Sequence, residues 1–240
     1  MKIIDVSKHN RIINWNYVKA AGVEGVIIRA GYGRHISQKD SRFEANYSGA
    51  LAAGLHVGAY WYSYADNPAD AKTEAEVFLE VLKCKKFDLP VYFDIEEQKH
   101  VEMGKTMCTA ITEAFCSTVE KAGYFTGVYS FDSFFKTNLD SIIERKYTQW
   151  VARIGGTPNS KHDMWQYSWK EKIKGINGET DVNHCYKNFP SIIVKAKLNG
   201  YGAETKYKVT ACISGVDKVA ADKIAKACSE MGMTVVTEEV

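Results

Sequence analysis

The run Leu89-Pro90-Val91-Tyr92-Phe93-Asp94-Ile95-Glu96-Glu97 decides the fold. Its near-continuous apolar and aromatic core reads as a strand covered on both faces, as in parallel sheets flanked by helices. Such a strand should stay dry, yet this one ends in two carboxylates at i and i+2. Side chains at that spacing share a face, with Cα atoms about 6.6–6.8 Å apart. Asp94 and Glu96 therefore point the same way. Their mutual repulsion should raise the pKa of at least one and make it a candidate proton donor at neutral pH. A solvated strand end could carry the same Asp-x-Glu, so the surrounding chain has to decide between the two.

Further runs of the same kind lie on either side. Strands are expected at residues 3–6, 26–30, 57–62, 91–95, 127–130, 148–152 and 164–167, with a short last one near Asp181. Ala21-Gly22, Ala53-Gly54 and Ala122-Gly123 each read as a helix closing on a left-handed glycine before the next strand. Phe43, Tyr47, Ala50 and Leu51 keep helical spacing before Gly54, as do Met107, Ile111, Phe115 and Val119 before Gly123. Asn67 followed by Pro68 opens another helix as N-cap and first-turn residue. The alternation predicts an α/β fold, an irregular TIM-like (β/α) barrel of eight strands. The usual barrel takes about 250 residues; this one has to fit into fewer, so its later helices should be reduced and its later strands joined by loops.

In a parallel barrel the C-terminal strand ends converge on one mouth, where the active sites of this architecture lie. Ile3-Ile4-Asp5 ends one strand in a carboxylate, and Asp181-Val182-Asn183 is expected to place another after the last strand. Tyr32, Trp61, Tyr62, Tyr64, Tyr129, Trp165 and Tyr167 gather at the same ends. Flat aromatic rings beside hydroxyl and amide partners suit the apolar C–H faces of sugars, although core packing is the better account of any single ring.

Composition limits the alternatives. The chain has 240 residues, 45% of them hydrophobic and 25% charged, which is ordinary globular usage rather than the signature of disorder. A net charge of +2 gives no field for nucleic acid. No apolar stretch nears the roughly 18 residues of a membrane span, and Asp5 interrupts any N-terminal export signal, so neither membrane insertion nor signal-dependent secretion is expected. Six scattered cysteines form no CxxC pair, and six histidines show no ligand spacing, so no metal or other cofactor is expected. Cys212 and Cys228 could meet across one small strand and helix, but the reduced state is the expectation. Residues 1–193 are assigned to the barrel and 194–206 to a linker. Residues 207–240 are assigned to a small β-α-β module, with strands at 207–213 and 234–237 around a helix at 217–231.

Asp5-Val6-Ser7-Lys8-His9-Asn10, Val26-Ile27-Ile28-Arg29-Ala30, Gly58-Ala59-Tyr60-Trp61-Tyr62, Phe93-Asp94-Ile95-Glu96, Trp165-Gln166-Tyr167 and Asp181-Val182-Asn183 occur in an order that resembles glycoside hydrolase family 25, the N-acetylmuramidases or lysozymes of phage endolysins and bacterial autolysins. The resemblance covers about four-fifths of the chain. It implies cleavage of the β-1,4 bond between N-acetylmuramic acid and N-acetylglucosamine in bacterial peptidoglycan. Glu96 would be the general acid, Asp94 its partner carboxylate, and Asp5 and Asp181 the rest of the acidic site. Tyr32, Trp61, Tyr62, Tyr129, Trp165 and Gln166 would contact substrate, Trp61 least securely because relatives often carry His at its place. A chitinase-like glycosidase usually has a further Asp where this chain has Tyr92, and a non-catalytic wall-binding barrel would lack one of the acids. The C-terminal module would bind cell wall or self-associate. An enzyme of this type made without a leader would need a holin-type pore to reach its substrate.

Overall fold

The computed structural model describes residues 1–202 and 215–230, and the chain divides into two compact units, Met1–Ala203 and Glu204–Val240. In the first unit β1 (Lys2–Val6), β2 (Gly25–Tyr32), β3 (His56–Tyr62), β4 (Val91–Asp94), β5 (Thr126–Phe131), β6 (Thr148–Ala152), β7 (Met164–Glu171) and β8 (Thr180–Cys185) close into a barrel in sequence order. Around it lie α1 (Trp15–Ala20), α2 (Phe43–Ala52), α3 (Pro68–Leu82), α4 (Gln98–Lys121), α5 (Asp132–Thr137), α6 (Ser141–Lys146) and α7 (Phe189–Lys195). No helix separates β6 from β7 or β7 from β8, which accounts for the economy of residues.

The barrel is not wholly parallel. β1 to β7 pair in parallel, but β8 runs antiparallel to both neighbours. The loop from β7 to β8 is a hairpin connection, and without a crossover helix the returning strand has no way to run parallel. Asp181 therefore does not follow the last strand. It lies at the N-terminal end of β8, paired with Asp5 across the β1–β8 ladder, and the reversal is what brings it to the mouth.

Strand alternation divides the apolar residues into two cores. Outward residues such as Val26, Ile28, Val57, Trp61, Phe93 and Val128 pack beneath the helices, where Phe93 stacks on Phe115 of α4 with ring centroids 4.3 Å apart. Inward residues, including Ile3, Ile27, Tyr92, Tyr129, Trp150 and Met164, fill the barrel. Asn67 caps α3 as expected, its side chain accepting from the Ala69 and Asp70 amides. α4 is interrupted at Gly104, whose φ of 75° is non-helical. Leu51 and Met107, expected on apolar helix faces, are exposed at the margins of theirs.

The structure moves the expected barrel boundary. Residues 194–202 are no linker: α7 runs through Lys195, and Asn199 is completely buried. The Asn199 side chain accepts from the Phe125 amide (2.6 Å) and donates to the Leu89 carbonyl (2.9 Å), and its backbone bonds Phe87 and Gly123. This closes the barrel end opposite the mouth. In the second unit the expected helix is present as α8 (Lys218–Glu230). Both expected strands, and Cys212 with its candidate partnership, lie outside the described residues. Cys84, Cys108, Cys116 and Cys185 are free thiols.

Candidate active site

Inward positions at the C-terminal ends of the parallel strands, and at the start of β8, bring Asp5, Arg29, Tyr60, Asp94, Tyr129, Gln166, Asp181 and Asn183 towards one end of the barrel. Glu96 follows β4 at the same parity as Asp94. The four acids expected from the sequence are thus brought together. Each feels its neighbours: Asp5 and Asp181 are hydrogen-bonded to one another, Asp5 and Glu96 repel Asp94, and Asp5 repels Glu96. Asp94 and Asp5 are almost covered, whereas Glu96 and Asp181 are partly exposed, so solvent reaches the cluster from their side.

Burial is the first cause of every pKa displacement here. It lifts Asp94 well above the usual carboxylate range, with repulsion from Glu96 and Asp5 adding to it and Arg29 opposing. Glu96 is pushed up to about 7 by burial, Asp5 and Glu97. Asp181 is pushed up to about 8 by burial and by Asp5 beside it. Asp5 is raised by burial against the hydrogen bonds of Asn183 and Gln166. A site that crowds carboxyl groups in this way holds several protonated near neutrality, which is the condition for general acid chemistry.

Around the acids lies a polar frame. Asp5 Oδ2 accepts from Gln166 Nε2 (3.0 Å) and Asn183 Nδ2 (2.8 Å). Tyr129 donates its hydroxyl to Gln166 Oε1 at 2.8 Å while its ring packs on Trp150, centroids 4.4 Å apart. Tyr62 donates to Glu97 Oε1 at 2.7 Å, and Tyr62, Tyr64 and Tyr32 form a row with successive centroid separations of 5.3 and 6.0 Å. Arg29 is held by Asp40 at 2.9 Å.

Two of the expected substrate contacts are elsewhere. Trp61 is fully buried on the outer face of β3, with its ring on Phe78 of α3 and its indole N–H on the Gly33 carbonyl. Strand alternation turns it away from the mouth, towards which Tyr60 and Tyr62 project. Trp165 likewise occupies the face of β7 opposite Gln166 and donates to the Arg153 carbonyl at 2.8 Å. The sequence reading missed Trp169, which donates to Gln166 Oε1 at 3.0 Å and is 45% exposed. It also left Arg29 and Asn183 without roles, although each shares its strand's inward parity with an assigned or core residue. Among the described residues no group of acids, histidines and cysteines has the arrangement of a metal centre, and none of the helices is long and apolar enough to cross a membrane.

Comparisons with known proteins bear on the fold and the family. The autolytic lysozyme of Clostridium acetobutylicum is 30% identical over 188 residues, covering 76% of this chain and 55% of that protein. Lysozyme M1 of Streptomyces globisporus is 30% identical over 198 residues, 75% of this chain and 66% of its own length. Among solved structures, the modular autolysin LytC of Streptococcus pneumoniae superposes with a TM-score of 0.68 at 31% identity, over 76% of this chain and 46% of that one. The CTP1L endolysin does so with a TM-score of 0.69 at 27% identity, over 95% and 79%. The chain spans about half the length of the Clostridium and Streptococcus pneumoniae proteins. A family model matches residues 4–176, most of the barrel, and the chain belongs to the glycosyl hydrolases family 25.

Proposed function

We propose that the protein is a muramidase that hydrolyses the β-1,4 bond between N-acetylmuramic acid and N-acetylglucosamine in bacterial peptidoglycan, acting at the cell wall. The observation that carries this reading is Glu96, a part-exposed carboxyl pushed up to about 7 at the mouth of a barrel shared with named lysozymes. A relative with this fold, LytC, has been solved with a synthetic peptidoglycan ligand.

Glu96 protonates the glycosidic oxygen as an oxocarbenium-like transition state develops at muramic acid. The substrate's 2-acetamido oxygen attacks the anomeric carbon and displaces the protonated leaving sugar, Asp94 or Asp181 orients the amide, and water then opens the cyclic intermediate. Tyr32, Tyr62 and Tyr64 offer one aromatic wall and Trp169 another for the apolar faces of the sugars. The second unit is proposed to add wall affinity or self-association, which a pulldown on purified walls with and without residues 204–240 would distinguish.

The deciding experiment is digestion of purified peptidoglycan, borohydride reduction and mass spectrometry. New reducing ends should be muramitol, and Glu96→Gln should lower their rate of formation by orders of magnitude. Glucosaminitol, free peptide ends or undiminished activity in the variant would overturn the assignment. Product anomers read by NMR should show retention, since inversion excludes the acetamido route.

A further inference from the structure

The acid cluster has a built-in asymmetry. An indole nitrogen can only donate a hydrogen bond. Trp150 Nε1 meets Asn183 Oδ1 at 2.6 Å, so the Asn183 amide cannot turn over, and its NH2 must face Asp5 Oδ2. Trp169 Nε1 meets Gln166 Oε1 at 3.0 Å, reinforced by the Tyr129 hydroxyl at 2.8 Å, so the Gln166 NH2 must face the same Asp5 oxygen. Asp5 Oδ2 therefore sits between two compelled N–H donors and has no place for a proton. Charge-assisted bonds of this kind favour the carboxylate over the neutral acid. Asp181, its partner across the β1–β8 ladder, has no comparable amide pair among its contacts.

We propose that Trp150, Trp169 and Tyr129 are positioning residues which, by locking the Asn183 and Gln166 amides, keep Asp5 the anion of the Asp5–Asp181 pair and leave the pair's proton on Asp181, as a neutral donor at the mouth. The other titratable groups around Asp5 are Tyr60 on β3, Asp94 at the end of β4, Glu96 just after it and Tyr129 on β5, with Arg29 on β2 acting on Tyr60 and Asp94. Arg29 is the cation among them, and it is engaged by Asp40. On the muramidase reading, a neutral Asp181 can turn the one proton it gives to Asp5 towards a substrate carbonyl or hydroxyl, which a carboxylate cannot do.

The lock itself can be tested without catalysis. In the full chain labelled with ¹³C at aspartate, with resonances assigned through Asp5→Asn and Asp181→Asn, the Asp5 carboxyl should ionise well before that of Asp181. Trp150→Phe removes one compelled donor and should raise the Asp5 midpoint by about one pH unit, about tenfold in proton affinity. Trp169→Phe, at a ring that is 45% exposed, should move it the same way by less. In hydrolysis assays the acid limb of the pH profile should move up with it, whereas a purely structural defect lowers the rate at every pH alike. Ionisation of Asp181 before Asp5, or an Asp5 midpoint unmoved in both variants, would overturn the proposal whatever the enzyme cleaves.

Discussion

Asp94 Oδ1 is buried without a hydrogen-bond partner, and so is Arg29 Nη2. Unsatisfied buried polar atoms cost free energy and are retained where chemistry needs them free. Here they mark the floor of the site beneath Glu96. Because Glu96 must hold its proton to act, activity should fall as pH rises through about 7. Glu97 contributes to that position by repulsion, so Glu97→Gln, which keeps a side-chain oxygen for Tyr62, should move the alkaline limb of kcat/KM to lower pH. A pH–rate series on the two proteins checks it. Glu96→Gln should reduce kcat by about 10²–10⁴-fold, the usual worth of a general acid. At this scale the sequence was legible for the acids, because a carboxylate at the end of an apolar strand is costly to bury and is kept where a site uses it. It misled for Trp61 and Trp165, where nearness to a strand end was weighed above strand parity. Trp61 differs in parity from Tyr62, and Trp165 from Gln166, so alternation alone separates ring from mouth.

β8 shows what periodicity along a single element leaves out. Its position was legible from Asp181-Val182-Asn183, but its direction depends on whether a crossover helix fits between β7 and β8. Periodicity within either strand is silent on that. The same holds for the segment after α7, where Asn199-Gly200-Tyr201-Gly202 reads as a flexible linker. Asn199 takes a left-handed φ of 53°, which Asn tolerates, and it spends both ends of its amide on the barrel floor. Asn199→Ala leaves the Phe125 amide and the Leu89 carbonyl without these partners and adds strain at that φ. It should cost about 1–3 kcal/mol in urea unfolding. A chain ending at residue 193 should be less stable than one ending at 203 by a larger margin. Asp132 plays a corresponding part at the mouth rim, accepting from the Asn159 and Ser160 amides and pairing with Arg153. Those bonds hold its carboxyl far below the usual range. Asp132→Ala should loosen the loop after β6 and raise its amide exchange while leaving the acid cluster in place.

Over the whole barrel the active-site charges work against folding. Asp5, Asp94, Glu96 and Asp181 all have raised values, as does the buried Glu74, pushed up to about 7 by burial while it anchors Ser63 and the Tyr64 amide. An acid whose folded value exceeds its unfolded one binds its proton more tightly when folded. Its contribution to stability is fully present below the unfolded value and is lost as pH rises through the folded one. For this protein the loss begins near pH 4 and runs through about 7 for Glu96 and Glu74 and about 8 for Asp181, with Asp94 adding to it at higher pH. Asp132 has the opposite sign, but its contribution is constant above its unfolded value of about 3.8, at the lower edge of that window. Thermal unfolding followed by near-ultraviolet circular dichroism should therefore give a melting temperature that declines from pH 5 to pH 8. Replacing Asp181 by Asn removes one of the charges forced to form at high pH while keeping the shape. It should raise stability at pH 8 by more than at pH 5, the two gains differing by about 1–3 kcal/mol, and so flatten the decline. A variant melting lower than the parent at pH 8 would mean that Asp181 is ionised without strain in the folded barrel, and that crowding of carboxyls at the mouth is not what sets its proton affinity.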